Sequence, residues 1–227
     1  MKIALIGYGK MGHIVEKTAL QRGHTIVCRI DLNNTADFLS DSFRSADVAI
    51  EFTTPLTAYD NIHKAWQAGL PVVCGTTGWN EQLQAMQEEL KTNNKALFWT
   101  SNFSIGVNLF FELNKRLAEL IHPYPQYMPQ LTEIHHIHKL DAPSGTAVTM
   151  ATDISYPKDK IISIRQGDVP GTHIVRYDSA VDTIEIRHEA KSREGFALGA
   201  VLAAEFLKGR KGYYTMKDML NIGSLID

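Results

Sequence analysis

Short apolar runs that stop at glycine alternate with amphipathic stretches over the first hundred residues. Ile3 to Ile6 is a run with no polar position, which suits a strand buried on both faces. Lys10 to Gln21 places Met11, Ile14, Val15, Thr18 and Ala19 on one helical face. The same alternation predicts strands at Thr25 to Ile30, Asp47 to Phe52, Pro71 to Cys74 and Ala96 to Trp99. Between them, a helix opens at Pro55 with Leu56, Tyr59, Ile62 and Trp66 at helical spacing and ends at Gly69, and a polar helix spans Asn80 to Leu90. Strands joined by helices through short connections predict a parallel, doubly wound sheet.

The pattern changes after Asn102. Leu109, Phe110, Leu113, Leu117, Leu120 and Ile121 predict one helix, which Pro123, Pro125 and Pro129 bring to an end. Three β-rich stretches follow with little helix between them: Leu131 to His138, Lys160 to Arg165 and Thr183 to His188. His173 to Tyr177 is a candidate fourth. They predict a second α+β domain with a mostly antiparallel or mixed sheet. A last helix, Phe196 to Leu207, has too few partners there and is expected to return to the first domain. The expected division is therefore 1–103 with 194–227 as one domain and 104–193 as the other.

Composition narrows the partners. With 23 basic against 25 acidic residues, the chain lacks the basic footprint of a nucleic-acid or membrane-surface binder. No apolar run approaches the roughly 20 residues that span a bilayer, and the first strand begins at once, without a signal-peptide layout. Cys28 and Cys74 each sit in a predicted strand and read as buried free thiols of a reducing compartment. A cytoplasmic enzyme is expected, in which any anionic ligand is held by local features.

The first such feature is Gly7-Tyr8-Gly9-Lys10-Met11-Gly12, a complete G-x-G-x-x-G between a predicted strand and a predicted helix. Its first glycine permits the tight turn, the second lets backbone approach a pyrophosphate, and the third allows close helix–strand packing. The amides at the helix N-terminus then face the anion. Asp31 closes the second strand about 20 residues on, where a carboxylate can accept from an adenosine ribose 2′-hydroxyl. Together these predict a Rossmann-type nucleotide site. Gly75-Thr76-Thr77-Gly78 closes the fourth strand, where such sheets place their ligands, and offers hydroxyls and amides to a ribose. A 2′-phosphate would meet repulsion from Asp31, and Leu32 supplies no offsetting cation. A nicotinamide cofactor or a flavin could use this fingerprint, and if the cofactor is a nicotinamide, NADH is the expected preference over NADPH, with Lys10 and Arg29 the nearby cations in sequence.

The densest chemistry runs from Glu133 to Thr146, E-I-H-H-I-H-K-L-D-A-P-S-G-T. As a strand it would put His136 and His138 on one face and His135 on the other. Ser144-Gly145-Thr146 opens a helix whose amides and hydroxyls suit a carboxylate. A metal site is not expected, because His136 and His138 lack a third ligand at a familiar spacing. A nucleophilic serine is not expected either, since Ala142 stands where a G-x-S-x-G elbow needs glycine. An anionic-substrate site with His and Lys as proton donors and charge clamps remains.

The block H-H-x-H-K-x-D-A-P-S-G-T resembles that of the 4-hydroxy-tetrahydrodipicolinate reductase family. So do the glycine fingerprint, Gly75 to Gly78, Asn102 to Asn108, Arg165 to His173 and Ser192 to Ala197. The resemblance spans nearly the whole chain. It implies NAD(P)H-dependent reduction of 4-hydroxy-tetrahydrodipicolinate, with loss of water, in lysine biosynthesis. It implies His135 as proton donor, Lys139 as a second acid group, and His136, Gly145 and Thr146 as contacts to a dicarboxylate substrate. Cofactor contacts are implied at Gly7, Tyr8, Gly9, Lys10, Met11, Gly12, Asp31, Gly75, Thr76, Thr77, Thr100, Ser101, Asn102 and Phe103. Homotetramers through the β-rich domain are implied as well. The chain departs from the family at Asp31, where glutamate is common, at Leu32, where some members have arginine, and in its shorter stretch around 32–46.

Overall fold

The computed structural model describes residues 1–222. The chain forms two compact units, Met1–Ile105 with Glu194–Asp227, and Gly106–Arg193. Of the expected first domain, residues 223–227 lie outside the described residues.

The first unit holds a six-stranded sheet. Its strands are β1 (Lys2–Ile6), β2 (Thr25–Ile30), β3 (Val48–Glu51), β4 (Val72–Cys74), β5 (Ala96–Trp99) and, from the far end of the chain, Gly212–Tyr214. The order is Gly212–Tyr214, β5, β4, β3, β1, β2, and every pairing is parallel. Successive side chains of a strand point to opposite faces, so a run with no polar position feeds two cores. Ala4, Ile6, Ala49, Val72, Cys74 and Leu97 pack with helix α3 (Ala58–Gln67) and helix α4 (Asn80–Thr92) through Ile62, Trp66, Leu83 and Met86. Ile3, Leu5, Val48, Ile50, Val73 and Phe98 pack on the other side against α1 (Lys10–Gln21) and the late helix Glu194–Leu207. That late helix presents Ala197, Ala200, Ala203 and Ala204, all buried, and small residues let it lie close to the strands. It packs on this sheet, against β3, β4 and β5.

Between β2 and β3 lies a 3-10 turn, Thr35–Leu39, followed by the short helix α2 (Asp41–Arg44), capped by Ser40 Oγ accepting from the Phe43 amide at 3.1 Å. Two expectations need correction. The third helix begins at Ala58 rather than Pro55, after a turn, and Leu56 is 92% exposed instead of lying on the core face. The polar helix runs on to Thr92.

The second unit contains α5 (Ile105–Ile121), β6 (Met128–His135), α6 (Gly145–Asp153), β7 (Ile162–Arg165), β8 (Thr172–Asp178) and β9 (Thr183–Glu189). The sheet order is β7-β6-β8-β9, with β6 parallel to β7 and the other neighbours antiparallel, so the sheet is mixed. Phe110 and Ile121 of α5 and Met150 and Ala151 of α6 cover one face through Leu131, Val175 and Tyr177. The helical pattern in α5 is real, but Leu109, Leu113 and Leu120 face outward within this unit. The stretch Lys158–Lys160 is a 3-10 turn, and β7 starts only at Ile162. The elements after residue 207 follow as α7 for Glu194–Leu207, β10 for Gly212–Tyr214 and α8 for Met216–Met219. No helix among the described residues is long and apolar enough to cross a membrane.

Candidate functional site

In the first unit, β1 pairs with β2 on one side and β3 on the other, so the chain reverses its direction of travel across the sheet at β1. Open α/β sheets bind ligands at such a point, beyond the strand carboxyl ends. Gly7 stands there with φ +91°, and an added Cβ would overlap the Phe52 carbonyl that follows β3. An added Cβ on Gly12 would overlap the Gly7 carbonyl, whereas one on Gly9 would meet nothing within 4 Å. Close packing at the first and third glycines with open space at the second is what a pyrophosphate needs from this turn. Helix α1 begins after Gly9, its N-cap residue, with no side-chain cap, leaving its first-turn amides available to an anion. The residues present therefore fit a dinucleotide.

The other expected cofactor contacts surround the same strand ends. Thr76 is buried, and its Oγ1 accepts from the Thr53 amide at 2.8 Å, while its carbonyl accepts from Trp79 Nε1 at 2.7 Å and Trp99 Nε1 at 3.0 Å. Thr76 thus fixes the loop, and the exposed Thr77 beside it presents the open hydroxyl. After β5, Thr100 Oγ1 donates to the Asn102 carbonyl at 3.1 Å and Asn102 Oδ1 accepts from the Ser104 amide at 2.9 Å. Ser101 is exposed and Phe103 is buried.

Asp31 lies just past β2, exposed, with its Oδ1 accepting from the Leu32 amide at 2.9 Å and its own amide donating to Asn34 Oδ1 at 2.7 Å. Arg29 is not a free cation for a phosphate. Its guanidinium pairs with Glu16, Nε to Oε2 at 3.0 Å and Nη2 to Oε1, and Tyr8 Oη donates to the same carboxylate. The Glu16 hydrogen bond raises the Arg29 pKa and the Arg29 hydrogen bond lowers that of Glu16. Lys10 is exposed at the start of α1.

In the second unit the strand ends at His135, not His138. His136 to His138 form a turn in which the Ile137 amide donates to the Gly167 carbonyl at 3.1 Å and the Lys139 amide to the His136 carbonyl at 3.1 Å. The expected sharing of a strand face by His136 and His138 is therefore wrong. Their rings lie 6.4 Å apart in the turn, His138 exposed and His136 half-buried.

His135 faces the helix-covered side with Glu133, because residues two apart in a strand share a face. Glu133 is wholly buried. Its Oε1 accepts from Arg165 Nη2 at 3.0 Å and from the Ser144 amide at 3.1 Å, and its Oε2 lies 3.0 Å from His135 Nδ1. Burial works to raise the Glu133 pKa, but His135, Ser144, Ser163 and Arg165 together hold it well below the carboxylate range. Arg165 stands opposite His135 in the β6–β7 register. Its Nη2 also donates to the Asp141 carbonyl at 2.5 Å and its Nε to the Lys139 carbonyl at 3.4 Å. Lys139 Nζ donates to Asp141 Oδ1 at 2.7 Å.

Across β8, His173 stands opposite Glu133, with its ring 5.2 Å from that of His135 and its Nε2 3.5 Å from Ser144 Oγ. Burial first, then the neighbouring His135, lower the His173 pKa to about 4, so it is a neutral imidazole. Ser144 caps α6, its Oγ accepting from the Ala147 amide at 3.2 Å. The amides of Gly145 and Thr146 belong to the first turn, where no intrahelical acceptor exists. Gly145 is exposed and an added Cβ there would meet nothing within 4 Å. Donor atoms of Glu133, His135 and His173 all lie within 4.8 Å of one another, a set that can meet a cation. Arg165 already occupies one oxygen of that carboxylate. These donors differ from the pair weighed from sequence.

Glu133, Arg165 and His173 carried no role in the sequence reading. Glu133 could have been found from its place two residues before His135. Arg165 and His173 come from strands paired across some thirty to forty positions, which local pattern does not reveal.

A parallel sheet with an open glycine turn where the strand order reverses is the fold of dinucleotide-dependent oxidoreductases, and the chain is of that class. The profile of the dihydrodipicolinate reductase N-terminus matches residues 1–103 and that of the dihydrodipicolinate reductase C-terminus residues 106–220. The chain belongs to the dihydrodipicolinate reductase family. It is 44% identical to the 4-hydroxy-tetrahydrodipicolinate reductase of Christiangramia forsetii, over 97% of this chain and 98% of that one. The Archaeoglobus fulgidus protein of the same name is 32% identical over 97% of this chain and 100% of its own length. Among solved structures, dipicolinate-bound dihydrodipicolinate reductase from Paenisporosarcina sp. TG-14 superposes with a TM-score of 0.75. It is 24% identical and covers 98% of this chain and 99% of that chain.

Proposed function

We propose that this chain reduces 4-hydroxy-tetrahydrodipicolinate to tetrahydrodipicolinate, with NADH or NADPH as reductant, in the diaminopimelate route to lysine. The observation that carries the reading is the gathering of His135, Lys139 and the first-turn amides of α6 around one buried ion pair, in a chain of this family. Unit 1 is the dinucleotide-binding part, through Gly7 to Gly12, Asp31, Gly75 to Thr77 and Thr100 to Phe103. A bound reduced nicotinamide supplies a hydride.

Unit 2 binds the dicarboxylate and supplies the proton. The Gly145 and Thr146 amides, with the Thr146 hydroxyl, take one substrate carboxylate, and His136 contacts the ring from the turn. Overall the ring gains one hydride and one proton and loses water. As the hydride arrives, negative charge builds on the conjugated nitrogen and carboxylate side of the ring. A positioned cation or acid lowers that barrier. His135 gives the proton, and Lys139 offsets charge beside it.

The chain is further read as a cytoplasmic homotetramer assembled through unit 2. Register places Ile134, Ile162, Ile164 and Ile174 on the sheet face opposite the helices, and Ile162 and Ile164 are exposed there. An apolar sheet face of this kind suits a subunit contact.

The test is cofactor oxidation followed by absorbance, with substrate generated in the cuvette. Oxidation should depend on substrate, pyridine-2,6-dicarboxylate should compete, and Thr146→Val should raise the Michaelis constant with little change in kcat. Oxidation that is absent, or indifferent to substrate, would contradict the assignment.

A further inference from the structure

Glu133 is an acid that burial should have removed. A carboxylate with no exposure costs several kcal/mol unless it is fully paired, yet nothing in the reaction needs a group inside the sheet. Its partners show what it is set against. Arg165 Nη2 and the Ser144 amide occupy Oε1, which leaves Oε2 for His135 Nδ1 at 3.0 Å. The two atoms are in ion-pair contact without the alignment of a hydrogen bond, and an ionised carboxylate so close, which can only accept, favours the ring form with its proton on Nδ1. The other ring nitrogen then points the opposite way. An added Cβ on Gly171 would stand 3.0 Å from His135 Nε2 and 3.3 Å from Cδ2. Glycine at that position keeps the space beside Nε2 clear.

The same guanidinium reaches the turn that carries the second candidate acid, donating to the Asp141 carbonyl at 2.5 Å and the Lys139 carbonyl at 3.4 Å. Loss of Arg165 would therefore release both His135, through Glu133, and the Lys139 turn. Lysine has neither the fork nor the reach to replace it.

We propose that Glu133 and Arg165 are positioning residues: the carboxylate holds the proton on His135 Nδ1 and aims Nε2 at the substrate, and the guanidinium ties that histidine to the Lys139 turn. This rests on His135 being the proton donor. The charged and titratable groups facing His135 are Glu133 on its own strand, Arg165 on β7, His173 and beyond it His188 on β8 and β9, and Lys139 with Asp141 in the turn. Glu133 and Asp141 are the acids in this set, and Asp141 is committed to Lys139. The favourable field on a protonated His135 thus comes from Glu133.

The experiment is the pH profile of kcat/KM for the unmodified enzyme, Glu133→Gln, Glu133→Asp, Arg165→Lys and His135→Gln, with cofactor affinity measured on each. Glu133→Gln keeps the shape and deletes the charge. The alkaline limb of its profile should move to lower pH, because the facing charge that favours a protonated ring is gone. Its kcat should fall at least tenfold at pH 8 with cofactor affinity unchanged. Glu133→Asp should restore the limb even if kcat stays low, and Arg165→Lys should lower kcat with little effect on cofactor. A Glu133→Gln profile that superposes on the original, or drops evenly at every pH, would overturn the proposal. If His135→Gln is inactive at the same time, only the positioning role falls. If His135→Gln keeps normal turnover, the reading of His135 falls with it. Nitrogen NMR of labelled histidine in the unmodified enzyme, assigned through His135→Gln, gives an answer that needs no folded Glu133 variant. A proton on Nδ1 supports the proposal, and a bare Nδ1 refutes it.

Discussion

Each unit buries one glutamate near the carboxyl end of a strand, Glu51 on β3 and Glu133 on β6, and both are 0% exposed. Their pKa values are displaced in opposite directions. Around Glu51 the partners are neutral: the Thr53 hydroxyl, the Cys74 thiol at 2.9 Å and the Thr76 hydroxyl nearby. Burial outweighs them and pushes the Glu51 pKa up, while the same burial and that carboxyl keep the Cys74 thiol well above its usual value. Around Glu133 stand a guanidinium, an imidazole and a helix amide, and the carboxyl is held ionised. Equal burial has opposite results because one site contains compensating charge and the other does not. The contrast matches the division of labour proposed for the units. The strand ends of unit 1 offer hydroxyls, amides and packing, which bind. Those of unit 2 hold organised charge, which can move a proton.

The contrast should be visible first in acid stability. His173, with a pKa lowered to about 4, must stay neutral in the fold, whereas the unfolded chain takes up its proton near pH 6.5. More protons bind to the unfolded chain between those values, so stability falls as pH falls from about 6.5 to about 4. The linkage amounts to on the order of 3 kcal/mol. Glu133, with its pKa depressed, adds a further loss as pH drops below the ordinary carboxylate range. Urea unfolding at pH 7 and pH 4.5 measures this. His173→Leu should flatten the pH dependence above pH 4.5, and an unchanged slope in that variant would show that the histidine is not the source.

A smaller effect is expected in unit 1, on the choice of cofactor. Asp31, exposed beyond β2, can accept from a ribose 2′-hydroxyl but repels a 2′-phosphate, and Arg29 is committed to Glu16. NADH should be preferred by a few-fold to tenfold, and about 1.4 kcal/mol gives a factor of ten. Asp31→Ala should erode the preference without lowering kcat. Specificity constants favouring NADPH in the unmodified enzyme would remove Asp31 from this role.

The smallest effect belongs to Glu51→Gln. Because the folded pKa is raised, the carboxyl contributes stability at pH values below the unfolded one, about 4.5, and this is lost as pH rises through the folded value. An amide of the same shape removes that dependence. Below pH 4.5 it should change stability by under about 1 kcal/mol, since there a neutral hydrogen-bonding group replaces another. A pH dependence in Glu51→Gln that matches the unmodified protein would mean that Glu51 is not its source and that the comparison fails.

Much of this arrangement could be read along the chain, and the part that could not has a common cause. β1, β2, α1 and β5 follow from apolar runs, glycines and helical spacing, and the glycine fingerprint announces its own turn. β10 could not be anticipated, since Gly212–Tyr214 has three residues and exists by pairing with β5. Helical spacing finds Phe110 and Leu113 alike but cannot tell that one is buried and the other exposed. His135 and Lys139 stand out as a rare local cluster. Their supports do not, because Arg165 and His173 reach Glu133 only when β7 and β8 close on either side of β6. That closure also ends the strand at His135 and turns His136 to His138 out of it, against the alternation their sequence suggests.

The central claim is that the proton comes from unit 2 while the cofactor is held by unit 1. Turnover and cofactor affinity, measured side by side on His135→Gln and Lys139→Ala, test it most directly. Each variant should lose roughly 100-fold or more in kcat, the scale of a positioned acid, with cofactor dissociation constants unchanged. Near-normal turnover in both, or a loss that follows weakened cofactor binding, would contradict it.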